Sequence, residues 1–156
     1  MPAYDALTDV RDLFTAYTAM LVAHDPALQI YLDIQRYDAE LLDLRGKYGP
    51  PGGRLYLART EGGQAAGCIA LRCLDDDRCE MKRLYVRPAY RGLGIARQLI
   101  EKVTDDARQF GCRYLLLDTL PFLKDAIRLY RQLGFYEIPC YNDSPPDTTL
   151  FFQLDL

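Results

Sequence analysis

The sequence is poorest in the residues that metal centres and covalent catalysis draw on. Its 156 residues hold one histidine, His24, and its five cysteines, Cys68, Cys73, Cys79, Cys112 and Cys140, form no C-x-x-C pair. Zinc sites are built on closely spaced Cys and His, so no metal is expected. A Cys/His nucleophile pair lacks its signature too: Cys140 is the best placed by order, but His24 stands far from it in the chain. Cys73 and Cys79 flank an expected hairpin turn where a bridge is geometrically open, yet free buried thiols are the reading for a reducing compartment. No run of about 18 apolar residues occurs and no charged-then-apolar segment opens the chain. Neither a membrane span nor a signal peptide is therefore expected, and a cytoplasmic location is the default. Positive charge is not in excess: 19 Lys and Arg against 22 Asp and Glu give a net charge of −3, which argues against a nucleic-acid footprint. Internal repeats, linkers and low-complexity stretches are missing as well. The length then predicts one domain, 1–156, with a sizeable core.

What the chain does have is concentrated between Glu80 and Val103. Met81–Val86 reads as a strand, rich in β-branched or aromatic residues and free of Gly and Pro. Arg87–Gly94 is a turn-forming linker with Pro88, Gly92 and Gly94. From Ile95 a helix is predicted, because Ala96, Leu99, Ile100, Val103, Ala107 and Phe110 recur at helical spacing. A strand, a glycine loop and a helix entry together make a place for a phosphate: first-turn N–H groups have no partner inside the helix, and that end of the dipole is positive. Gly92 and Gly94 put no side chain between backbone and ligand, and Arg91 adds a fixed positive charge. A dinucleotide fingerprint needs a third glycine where Arg97 stands, and a P-loop needs Gly-Lys-Ser/Thr, which is nowhere in the chain.

Around this stretch the rest falls into order. Val10, Leu13, Phe14, Tyr17 and Leu21 line one helical face with Thr8 as the expected N-cap. Asp25-Pro26 starts a second helical region, one helix or two short ones, whose stripe is Ile30, Ile34, Tyr37, Leu41 and Leu44, with Gly46 as the stop. A Gly/Pro loop leads to strands at Leu55–Ala58 and Ala66–Leu74, joined by a turn at Glu61-Gly62-Gly63. The second strand is apolar without alternation and should be buried on both faces. Asp75-Asp76-Asp77 is read as a solvated turn. Tyr114–Asp118 is a further strand, parallel to Met81–Val86 because a long helix joins them. A helix with Ala126, Leu129, Tyr130 and Leu133 on one stripe follows, and Phe135–Pro139 and Thr149–Leu154 close the chain as strands.

The run Arg91-x-x-Gly94-x-Ala96, preceded by a strand and Val86-Arg87-Pro88 and followed by Tyr130-x-x-x-Gly134-Phe135, resembles the GNAT superfamily of acyl-CoA-dependent N-acyltransferases. The resemblance spans Arg54 to Leu156. It implies an α/β (α+β) fold: a mixed central sheet of about six strands, helices on both faces, and a first strand that is short or missing at Met1–Tyr4. It also implies acetyl-CoA as co-substrate and an amine of a small molecule or protein as acceptor, acylated by direct attack. A homodimer is left open. The alternative of the same fold is a non-catalytic acyl-CoA-binding or sensing module.

By the same resemblance Glu80 is the base, directly or through water, and Tyr130 faces the CoA sulfur as proton donor. The backbones of Leu84, Tyr85 and Val86 pair with the pantetheine arm. Arg91, Gly92, Leu93, Gly94, Ile95, Ala96 and Arg97 hold the pyrophosphate, with Arg87 as a further cation. Alternation puts Glu80 on one strand face with Lys82, Leu84 and Val86, so the bland reading is a surface Glu80–Lys82 couple. Where relatives carry Asn, three residues before the alanine, this chain has Leu123. The acceptor side is expected from Tyr31, Tyr37, Lys47, Tyr48 and the Tyr141–Asp147 segment, either as an aromatic pocket for a cation or as ordinary packing.

Overall fold

The computed structural model describes residues 2–34 and 36–156, without the side chain of Tyr31. Among the described residues six α-helices, α1 Leu7–His24, α2 Leu28–Ile34, α3 Tyr37–Leu42, α4 Leu44–Tyr48, α5 Ile95–Gln109 and α6 Lys124–Gln132, surround strands β1 Gly53–Arg59, β2 Ala65–Cys73, β3 Arg78–Val86, β4 Tyr114–Thr119, β5 Tyr136–Ile138 and β6 Leu150–Asp155. The strands form one sheet in the order β1-β2-β3-β4-β6-β5. Among the described strands only β3 and β4 are parallel, as the long α5 crossover between them requires. Ahead of α1, Pro2 makes a single antiparallel bridge with Tyr56 and the Ala3 N–H donates to the Leu55 carbonyl at 2.9 Å. The expected first strand is thus a stub one bridge long; Met1 lies outside the described residues.

Each face of the sheet carries its own core. On one, Val10, Leu13, Phe14 and Leu21 of α1 pack with Leu55, Leu57, Cys68, Ala70 and Tyr85. On the other, Leu99, Ile100, Val103 and Ala107 of α5 pack with Ile69, Leu71, Met81, Leu115 and Leu117. β2 contributes to both, so its unbroken apolar run is buried on both sides as expected.

The N-terminal helices depart from expectation in two details. Thr8 is not the cap: α1 begins at Leu7, and the Val10 N–H donates to the Ala6 carbonyl at 3.2 Å. Gly46 is not a stop either. The Asp43 carboxylate accepts its N–H at 2.9 Å, so α4 carries through Gly46 to Tyr48. A local side-chain acceptor outweighs the weak helix propensity of glycine. Three short helices, α2, α3 and α4, replace the one or two expected.

Candidate active site

β3 and β4 pair at three positions only, Arg78 with Tyr114, Cys79 with Leu115 and Glu80 with Leu116. Past Glu80 they separate, while β3 runs on to Val86 beside β2. The gap is a cleft of about 730 Å³, walled by Lys82 to Val86 on one side and by Leu117, Asp118, Thr119 and α6 on the other, with Gly92, Gly94 and Arg97 at its mouth. The Arg87 N–H donates to the Ala66 carbonyl at 2.8 Å. Val86, one residue earlier, therefore turns its N–H and C=O away from β2 and toward the cleft. The Arg91 side chain takes that carbonyl, and the N–H is a strand donor of the kind an extended ligand can use.

The divergence starts at a bulge. Cys68 faces Tyr85 and Ala70 faces Lys82, so Arg83 and Leu84 stand together opposite Ile69. Arg83 has φ +59°, a left-handed conformation that costs a non-glycine residue about 1–2 kcal/mol. Its guanidinium is locked: Nε donates to Glu40 Oε2 at 2.8 Å and Nη2 to Oε1 at 3.1 Å, and it lies 5.0 Å from the Tyr37 ring centre. Tyr48 OH donates to the same carboxylate at 2.9 Å, and Lys47 pairs with it. Burial pushes the Glu40 carboxyl up, but the Arg83 and Lys47 charges outweigh it and hold the group down at about 2. This set of contacts over-determines the backbone at Arg83, the condition under which a left-handed residue persists.

The bulge corrects the expected alternation. Leu84 packs with Cys79 and Met81 on the α5 face, whereas Tyr85 belongs to the α1 face. One extra residue flips every side chain beyond it. Glu80 and Lys82 are not a surface couple either, being 1% and 8% exposed.

At the mouth, Gly92 and Gly94 both have φ +80°, and a Cβ at either would meet nothing within 4 Å. Their glycines answer to conformation and to open approach, not to packing. Gly94 caps α5, and the first intrahelical bond runs from the Gln98 N–H to its carbonyl at 3.1 Å. The N–H groups of the turn before it are left for a ligand. Ile95 and Ala96 line the cleft, and Leu93 is 66% exposed at the loop tip. Arg91 donates from Nε to the Val86 carbonyl at 3.0 Å and stays solvent-accessible. Arg97 is exposed, with Nη2 3.3 Å from Gln132 Oε1. Arg87 points elsewhere: its Nε donates to the Ala65 carbonyl at 3.1 Å, fastening β3 to β2.

Tyr130 lines the cleft on the α6 side and is 5% exposed. Burial raises its phenol well above the usual range, with the Tyr17 and Asp118 sides adding to the effect, so it is neutral at ordinary pH. α6 begins at Lys124, and Leu123 in the N-cap position supplies no side-chain cap, consistent with the missing asparagine.

Glu80 sits behind the cleft wall. Oε1 accepts from Arg72 Nε at 3.0 Å and Oε2 from Tyr141 OH at 2.6 Å. Lys82 stands between it and the cleft, 3.9 Å from Glu80 Oε1 and 3.7 Å from Asp118 Oδ2. Asp118 does reach the wall, and it also accepts from Asn142 at 2.6 Å and Ser144 Oγ at 3.2 Å. The β5–β6 loop thus supplies Tyr141, Asn142 and Ser144 to the polar floor. Asp118 and Lys82 were missed as site residues; the one signal for them was their position on the two strands expected to be parallel.

The acceptor-side expectation divides. Tyr37 and Tyr48 are buried around Glu40 and Arg83 and are packing. Lys47 instead borders a second hollow of about 340 Å³, with Glu40, Asp43, Arg36 and Arg72. Tyr31 lies outside what is described of side chains. Through Arg72 this hollow reaches Glu80 from the side opposite the cleft.

Residues 10–135 match the family described as the acetyltransferase (GNAT) family. An uncharacterized N-acetyltransferase of Schizosaccharomyces pombe is 38% identical over 126 residues, 80% of this chain and 77% of that protein. Among solved structures, a Klebsiella pneumoniae protein described as an acyl-CoA N-acyltransferase superposes with a TM-score of 0.76 at 26% identity, covering 100% of this chain and 94% of that one. A GNAT acetyltransferase of Elizabethkingia anophelis with acetyl-CoA bound matches at a TM-score of 0.57 and 23% identity, over 67% of this chain and 77% of that one.

Proposed function

This chain belongs to the acetyltransferase (GNAT) family and is an acetyl-CoA-dependent N-acetyltransferase, and we propose that the β3–β4 cleft receives acetyl-CoA while the Arg72 hollow admits the acceptor amine. The observation that carries this reading is the opening of β3 from β4 beyond Glu80, with a glycine loop at one end and Tyr130 on the wall.

In this reading the pyrophosphate rests on the N–H groups of residues 92–97, with Arg91 and Arg97 as its cations. The pantetheine arm takes the outward N–H of Val86 and lies along Leu84 and Tyr85. The acceptor, an ammonium of pKa about 10 in water, must lose a proton before attack. Glu80 does not take it by contact, since both its oxygens are engaged and the side chain is buried. The proton leaves through water to the polar floor, where Asp118 reaches the cleft and Glu80 stands behind Lys82. The amine nitrogen attacks the thioester carbon, the C–S bond breaks, and Tyr130 protonates the leaving thiolate. An acceptor that is a small amine suits a hollow of about 340 Å³.

Calorimetric titration with acetyl-CoA, with NAD and ATP as controls, tests the first half. Release of CoA thiol in the presence of an amine library tests the second. Selective binding of acetyl-CoA with thiol release on some amine is expected. Binding with no turnover on any amine would favour a sensing module, and no binding would remove the cleft assignment.

A further inference from the structure

The cysteines come together where the spacing gave no sign of it. The sulfurs of Cys73, Cys79 and Cys112 all lie within 4.8 Å of one another, and Cys73 and Cys79 are cross-strand partners whose sulfurs are 3.5 Å apart. Three separate segments supply them. Cys73 ends β2 and Cys79 is the second residue of β3. Cys112 follows Gly111, whose φ of +82° turns the chain out of α5 so that the Cys112 N–H donates to the Ala107 carbonyl at 3.1 Å. The cluster stands at the closed end of the β3–β4 pair, next to Glu80 and away from the glycine loop.

From this convergence we infer that Cys73, Cys79 and Cys112 form a three-thiolate site for a thiophilic closed-shell cation, Zn2+ or Cu+. A metal–sulfur distance of about 2.3 Å in tetrahedral geometry separates ligand sulfurs by about 3.8 Å. One separation is 3.5 Å and none exceeds 4.8 Å, so binding needs side-chain adjustments of about an ångström or less. Thiolates select these ions over hard cations. Binding replaces three S–H bonds with three metal–sulfur bonds and releases three protons; no electron is transferred. Cys79 and Cys112 are buried and Cys73 is half-buried, which leaves one side open for entry and for a water in the fourth position of Zn2+. Cu+ is satisfied by three sulfurs in a plane. Either ion would tie the β2–β3 turn to the α5–β4 connection and hold shut the end of the sheet opposite the cleft mouth. A Cys73–Cys79 disulfide is the competing use of the same thiols, but it leaves Cys112 without a part.

The test uses the full chain, reduced and stripped with a chelator. Zn2+ and Cu+ are titrated separately against chromophoric competitors, and Co2+ serves as the optical probe of thiolate ligation. One ion per chain is expected, with affinity at least ~100-fold weaker in each of Cys73→Ala, Cys79→Ala and Cys112→Ala and unchanged in Cys140→Ala. Which ion binds more tightly distinguishes the two. Should the Cys79 variant not fold, the wild type still decides: bound metal must slow alkylation of Cys73 and Cys112 and leave Cys140 as it was. No ion bound, equal alkylation rates, or formation of a Cys73–Cys79 disulfide by a reduced chain that binds no metal each overturn the site.

Discussion

At its N-terminal end β3 is flanked by two strands, with Cys79 set against Cys73 of β2 on one side and Leu115 of β4 on the other. At its C-terminal end it has β2 alone, and its conformation there depends on an ion pair reaching across to α3. The first end is held by backbone hydrogen bonds, which pull neighbouring strands to a fixed spacing. The second is held by a side chain, which fixes a bulge without filling the space beside it. A sheet that must open along one edge of one strand can do so only where something other than strand pairing fixes the backbone.

The largest expected effect comes from removing that something. Glu40→Ala leaves the Arg83 charge buried without its carboxylate and should cost roughly 3–5 kcal/mol of unfolding free energy in urea. The double variant Glu40→Ala/Arg83→Gly should recover part of the loss, because no charge remains and glycine takes φ +59° without strain. If Glu40→Ala is as stable as the parent, the bulge is held by something else. Acid should act the same way. The Glu40 carboxyl is lowered from 4.5 to about 2 in the folded chain. Its contribution is therefore complete above about 4.5 and fades as pH falls toward 2, by roughly 3 kcal/mol in all. The Glu40→Ala variant should lack this component of acid destabilisation in melts taken between those limits.

Next in size is the mouth. Gly94→Trp puts a ring where the first-turn N–H groups face outward. It should weaken acetyl-CoA binding by at least ~100-fold, about 3 kcal/mol, at a folding cost of only about 1–2 kcal/mol for the left-handed backbone. Retained affinity in calorimetry would end the pyrophosphate assignment.

The contrast also explains what could be read in advance. The glycine loop, α5, the Tyr130 helix and the parallel β3–β4 pair were legible because each is local: a turn residue, an apolar period, a crossover length. Arg83 in the left-handed region was not, since nothing near it is a glycine and its stabilising partner lies 43 residues earlier. The same bulge spoiled the alternation argument for Leu84, because a period of two cannot register an inserted residue. The passage of α4 through Gly46 turned on the Asp43 carboxylate accepting the Gly46 N–H, a single hydrogen bond against a glycine that read as a stop. The three sulfurs meet through sheet register and one turn, and neither is written in cysteine spacing.

Tyr130→Phe keeps the ring against Phe135 and Phe152 and removes only the hydroxyl. Turnover should fall roughly 10–100-fold with acetyl-CoA affinity unchanged, the pattern of a group that acts in the transition state. Unchanged turnover would take the phenol out of the chemistry.

The smallest effect belongs to the far side of Glu80. Arg72 is partly exposed, borders the second hollow and donates to Glu80 Oε1. If the acceptor enters there, Arg72→Ala should raise the acceptor KM about 3–10-fold while the acetyl-CoA dissociation constant stays put. The Glu80 carboxylate is buried, so removing its Arg72 donor should also lower the melting temperature, for a loss of about 1–3 kcal/mol. A change in acetyl-CoA affinity with no change in acceptor KM would mean that both substrates use the cleft and that the hollow is surface relief. The two sides of β3 would then differ in packing alone, and the polar floor of Lys82, Asp118 and Tyr141 would have to meet the amine from the same side as the thioester.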